Sequence, residues 1–261
     1  MTTNLLFLMI VGVFVASASA YIGSIMVLKR MSLVGDALSH VALPGMAIAI
    51  SFHLSPILGA FVALGIAVIG IWYLEETSDT YPDAIVGLFF TTALAIGVLI
   101  TKEPDLLEAL FGSLEKMNYE EGIISILISL LLLIVTLFLS KKIIASIISE
   151  ELAKVSGIPI KIVNLLYLFV VAAVVALGIR FVGTLLTGAL VIVPAVSARN
   201  ISRGMRSYSL MSIFFGSLSA LIGIGIAIYK GYLVGPIVVL TSVTIFLMTY
   251  IYKIIFIKNG N

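Results

Sequence analysis

The chain has 261 residues, of which 61% are hydrophobic and 11% charged, and its mean hydropathy is +1.26. Soluble domains carry about a quarter charged residues, so a water-soluble fold is excluded, and no polar stretch is long enough to fold outside the bilayer. The whole length, 1–261, is therefore expected to form one membrane domain. A net charge of +2 is too small to point to nucleic acid, and the absence of cysteine removes disulfides, iron–sulfur clusters and thiolate metal sites.

A spanning helix needs about 20 mainly apolar residues. The first such segment, 4–28, contains Ala16-Ser17-Ala18-Ser19-Ala20, which resembles a signal-cleavage site. A signal peptide also needs a basic leading region, and no Lys or Arg precedes Lys29. The segment is expected to be a spanning helix with its N-terminus outside.

Further spans are expected near 36–52, 54–74, 83–101 and 119–140. The loop 102–118 holds Glu103, Asp105, Glu108 and Glu115 against Lys102 and Lys116. It is either a solvated loop or a docking surface for an external protein. Between spans, Ser149-Glu150-Glu151-Leu152-Ala153-Lys154-Val155-Ser156-Gly157-Ile158-Pro159 predicts a short helix. Ser149 caps its start, Glu150 and Glu151 suit its positive end, Gly157 permits a left-handed stop and Pro159 follows. Too short to cross, it is expected to lie on the cytoplasmic face, as a connector or as a knob that engages a motor.

Spans near 161–178 and 183–198 are separated where Gly178 and Arg180 break a run too long for one crossing. Two more follow at 207–229 and 234–256. In the first of these, Ser212, Gly216 and Ala220 form a small-residue face that lets two helices approach closely. The expected fold is an all-α polytopic bundle of about nine transmembrane helices (eight or nine). With the N-terminus outside and the C-terminus inside, 11 Lys and Arg fall on the inner side and 4 on the outer, the bias that sets orientation.

An ionisable side chain within a span is costly and points to function. Asp36 and His40 are such residues, in Gly35-Asp36-Ala37-Leu38-Ser39-His40-Val41-Ala42-Leu43-Pro44-Gly45. Residues four apart share a helix face, with Cβ atoms about 5–6 Å apart, so a carboxylate and an imidazole here can reach one divalent cation. Pro44 has no N–H, which leaves the His40 carbonyl without its helical partner, and Ser39 lies beside them. The alternative is a structural Asp–His hydrogen bond with no metal.

His53, at the outer end of the same span, is expected to be an interfacial anchor. The seventh span is short and interrupted, with Gly183, Thr184, Thr187, Gly188 and Pro194. Such spans commonly line transport pathways, and tight core packing is a compatible reading. The candidate metal ligands are thus Asp36 and His40, and Ser39, Pro44, Thr184, Thr187 and Pro194 are candidates for lining or gating a pathway.

At these residues the chain resembles the permease family of zinc, manganese and iron ABC importers. Arg30-Met31-Ser32-Leu33-Val34-Gly35-Asp36-Ala37-Leu38-Ser39-His40, running into Leu43-Pro44-Gly45, resembles its most distinctive signature. Gly183 through Ala198, around Val193-Pro194-Ala195, resembles the second. Asp83-Ala84-Ile85-Val86-Gly87 and Leu110-Phe111-Gly112 match weaker positions. The resemblance implies a homodimer in the plasma membrane of a bacterium or archaeon, with ATPase subunits below and a metal-binding receptor outside. It implies that Asp36 and His40 form the intramembrane metal site. It also implies that Glu150, Glu151, Leu152, Ala153 and Gly157 belong to a coupling helix seated in the ATPase.

No Gly-x-x-x-x-Gly-Lys-Ser/Thr phosphate loop is present. The chain is therefore expected not to be an enzyme and to hold no permanent cofactor; ATP is used by the partner. The cargo is expected to be zinc, manganese or ferrous iron, with zinc favoured. Competing readings are an ABC permease for a metal chelate or vitamin, an ion-gradient secondary transporter, and a non-transporting scaffold.

Overall fold

The computed structural model describes residues 2–100, 110–112, 114 and 117–258. The charged residues of the 102–118 loop named above lie outside the described residues. Among those described the chain is all helix, in the order α1 (Thr2–Leu28), α2 (Leu33–Ser51), α3 (Pro56–Thr77), α4 (Pro82–Ile100), α5 (Tyr119–Ile148), α6 (Glu150–Val155), α7 (Ile160–Val182), α8 (Thr187–Ile201), α9 (Met205–Lys230) and α10 (Val234–Tyr252), with a π-helical turn at Lys253–Lys258. Eight of these are long and apolar enough to cross a membrane. The ninth expected span is α8, an apolar helix of 15 residues. At 1.5 Å per residue it is about 22 Å long.

The spans divide into inner and outer helices. α1, α2 and α7 are the more buried; α3, α4, α5 and α10 turn large apolar side chains such as Leu99 and Phe138 outward. An exterior of that kind suits lipid, where a soluble protein would aggregate. α8 is enclosed by α1, α2, α7, α9 and α10. The small-residue face of α9 packs as its spacing suggests: Ser212, Gly216 and Ala220 are all buried, and a Cβ placed at Gly216 would sit 2.8 Å from the Ala16 carbonyl oxygen. Ser17 and Ser217 hydroxyls meet across the same contact at 2.8 Å. The small-residue run 16–20 is thus helical and buried against α9.

Two helices run past their expected ends, and the first, α5, continues beyond 140 to Ile148. α7 continues through Gly178 and Arg180 to Val182, and the chain turns at Gly183. Gly183 has φ +87° and ψ 168°, a region open to essentially no residue but glycine. Its backbone lies so close to Leu110 that a Cβ would be 2.1 Å from that carbonyl oxygen, and Leu185 N–H donates to the same oxygen at 3.2 Å. Arg180 is a good helix former and continues the helix, and its guanidinium makes an ion pair with Glu121 in the first turn of α5.

Candidate metal-pathway site

Asp36 lies in the first turn of α2, and His40 follows one turn later on a helix that runs unbroken past Pro44. Both side chains are half-buried, whereas most of α2 is fully buried. The pair therefore occupies a face that the subunit itself leaves partly open. The imidazole of His40 stands edge-on to Phe90 of α4, with ring centroids 5.0 Å apart. Its Nδ1 is buried and has no hydrogen-bond partner. An unpaired buried ring nitrogen of this kind is an available metal ligand.

The carboxylate of Asp36 rests on α8. A Cβ at Gly188 would fall 1.6 Å from Asp36 Oδ1. The carboxylate thus meets α8 in its first turn, where backbone amides without helical partners carry partial positive charge. This contact brings the two sequence signatures together.

The lining candidates separate in the structure. The Ser39 hydroxyl is buried and donates to the Asp36 carbonyl at 2.8 Å; Thr187 donates to the Gly183 carbonyl at 2.5 Å. Both hydroxyls are committed to nearby backbone. Thr184 is different: it lies on the non-helical turn before α8, fully buried, with Oγ1 unpartnered. Pro44 and Pro194 are buried within continuous helices. His53 sits exposed in the α2–α3 turn with φ +57°. Among the described residues no cluster of three or more His, Cys, Asp or Glu is poised to hold a metal. Asp36 and His40, four residues apart on α2, are two such side chains.

The helix α6 is built as its sequence implies. Ser149 Oγ accepts from Leu152 N–H at 3.2 Å, and Gly157 has φ +75°. Ile158 N–H donates to Ala153 O, and Gly157 N–H to Lys154 O, both at 3.0 Å. These two bonds define a Schellman stop. Ala153 is buried, while Leu152 is 66% and Val155 87% exposed. Lys154 pairs with Glu150 at 2.7 Å, and this hydrogen bond holds its ammonium above its ordinary value.

Some tertiary ties had no signal in the sequence. Lys29, read there only as a topological charge, donates to Asn164 Oδ1 at 2.8 Å and lies 4.8 Å from the centre of the Tyr167 ring. It joins the turn before α2 to the start of α7. Burial pushes its ammonium below the usual lysine range, against the opposing pull of Glu75. Nearby, Lys161 pairs with Glu76 at 2.7 Å and its carbonyl accepts from Trp72 Nε1 at 3.1 Å, which fastens α3 to α7.

The model of the ABC 3 transport family matches residues 1–253. The chain is similar to the manganese import system permease protein ScaB of Streptococcus parasanguinis, 28% identical over 246 residues that cover 93% of this chain and 88% of that protein. It is similar to the high-affinity zinc uptake system membrane protein ZnuB of Haemophilus influenzae, 30% identical over 247 residues, covering 92% and 94%. Among solved structures it is similar to PsaBC from Streptococcus pneumoniae in complex with Fab, with a TM-score of 0.84 and 27% identity over 97% of this chain and 94% of that one. A match over nearly the whole length, with the fold in agreement, establishes that this chain belongs to the ABC 3 transport family.

Proposed function

We propose that this chain is the membrane-spanning permease of a bacterial ABC importer for a divalent transition metal, with zinc the favoured cargo and manganese or ferrous iron the alternatives. Asp36 and His40 are the ligands, and the observation that carries this reading is their placement. A carboxylate and an imidazole with a free, buried nitrogen stand one turn apart on the half-open face of α2. Two ligands per subunit make an incomplete site. A homodimer completes it by bringing two pairs to a shared pathway, and a site of modest affinity also releases its ion. Imidazole with carboxylate accepts zinc, manganese and iron, and geometry and availability decide among them.

The whole chain acts as one membrane domain, N-terminus outside and C-terminus in the cytoplasm. A receptor protein delivers the ion from outside, and ATPase subunits below supply the energy, so the chain itself performs no hydrolysis. The exposed Leu152 and Val155 of α6 form the knob that the ATPase grips, with Glu150, Glu151, Ala153 and Gly157 shaping it. Its rigid capping lets it transmit force. Thr184, Thr187, Ser39, Pro44 and Pro194 lie along or beside the pathway.

The test is ATP-dependent uptake of zinc, manganese and iron, offered separately to vesicles holding the assembled importer. Asp36→Ala and His40→Ala are expected to abolish uptake of the cargo metal while assembly persists. Undiminished uptake in both variants would reduce the pair to a structural hydrogen bond.

A further inference from the structure

Gly188 is the second residue of α8, and its backbone is not one that demands glycine: it is helical, and it is absent from the glycines with positive φ. Glycine is a poorer helix former than alanine, so another requirement holds it there. That requirement is visible on the facing helix. A Cβ at Gly188 would lie 1.6 Å from Oδ1, 2.4 Å from Cγ and 3.1 Å from Oδ2 of Asp36. The carboxyl group occupies the space that any other residue would fill. Gly35, the glycine next to Asp36 in the same crossing, is not filled in this way. A Cβ there meets only Met26 Cε at 3.4 Å and Gly188 Cα at 3.8 Å, ordinary contact distances.

We propose that Gly188 is a positioning residue for the metal ligand Asp36, its missing side chain forming the seat that fixes the carboxylate beside His40. The proposal rests on the reading of Asp36 and His40 as metal ligands. Its physical content is specific. The three heavy atoms nearest a methyl group at 188 all belong to the Asp36 carboxyl group, the end of a flexible side chain. The carboxyl group swings aside, α8 gains a better helix former, and the fold stays intact. The lost quantity is ligand geometry, and supporting contacts that orient a metal ligand are worth about 10–100-fold in metal affinity.

The experiment measures ATP-dependent zinc and manganese uptake by the assembled importer, as KM and maximal rate, together with the metal-free melting temperature. The variants are Gly188→Ala, Gly35→Ala and Asp36→Ala. The expected result is that Gly188→Ala raises KM about 10–100-fold with the metal-free melting temperature unchanged or higher, and that Gly35→Ala leaves KM unchanged. A native KM in Gly188→Ala overturns the proposal. So does a fall in its metal-free melting temperature or assembly, because the methyl is then absorbed by helix packing. An equal rise of KM in Gly35→Ala overturns it too, by assigning the effect to the α2–α8 crossing in general. Asp36→Ala separates the two readings. If its uptake is lost while Gly188→Ala is silent, only the positioning role fails; if its uptake is native, the metal-site reading fails and takes the positioning role with it.

Discussion

Where the short helix α8 crosses α1 and α2, each crossing holds a glycine with no free room for a side chain, and the two spaces are filled differently. On the α1 side a Cβ at Gly23 would fall 1.9 Å from the Val191 carbonyl oxygen and 2.8 Å from its carbon, so backbone presses on backbone. On the α2 side the space left by Gly188 holds the tip of Asp36. Backbone cannot rotate out of the way, whereas a carboxyl group can. The first contact therefore sets the position of α8, and the second sets the position of the Asp36 carboxyl group against it. The same residue type at a helix crossing thus makes room for backbone in one place and for a side chain in the other; on the reading proposed above, the first serves stability and the second function.

The comparison can be broken most directly from the α1 side. Gly23→Val forces α8 from α1, and overpacking of this kind costs about 1–3 kcal/mol at ordinary core sites. Here it is expected to lower the melting temperature and the yield of detergent-solubilised protein, with or without metal. A variant that melts normally but takes up metal poorly would erase the distinction between the two contacts. Gly216→Val is the next largest. It pushes against Ala20 Cβ and the Ala16 carbonyl, and a fall of about 1–2 kcal/mol is expected in stability with KM unaltered in the protein that remains folded. The smallest effect sharpens the contrast. Glu121→Gln removes the ion pair with Arg180, half-exposed on both sides; such pairs contribute about 0–1 kcal/mol. KM for metal is expected to stay native, since this contact touches neither Asp36 nor His40.

Much of the molecule was legible where local chemistry dictates local structure. Ser149, Gly157 and Pro159 bound α6 because capping and a left-handed stop are properties of neighbouring residues. The face of Ser212, Gly216 and Ala220 was legible because helical periodicity alone brings small residues together. The Asp36–His40 pair could be proposed from a four-residue spacing for the same reason. What lay beyond the sequence was every contact between distant segments. The end of α7 was expected at Gly178 and Arg180, but Arg180 finds Glu121 and Gly183 finds Leu110, and neither partner is indicated by anything near it in the chain. The seat of Asp36 on Gly188 and the edge of Phe90 against His40 are tertiary facts of the same kind. Thr184 and Thr187 looked alike in sequence; only the fold shows one hydroxyl bonded to Gly183 and the other unpaired.

The shortness of α8 has an electrostatic consequence. Its 15 residues extend about 22 Å, against a hydrocarbon layer of about 30 Å. Lipid tolerates non-helical backbone only where it is buried in protein or lines a wet cavity, and in the turn before α8 Gly183 and Thr184 are buried. Moving a divalent ion out of water into a low-dielectric interior is costly. In the function proposed above, the cation gives up its hydration beside Asp36 at the first turn of this short helix, and the carboxylate stands in for the water that is lost.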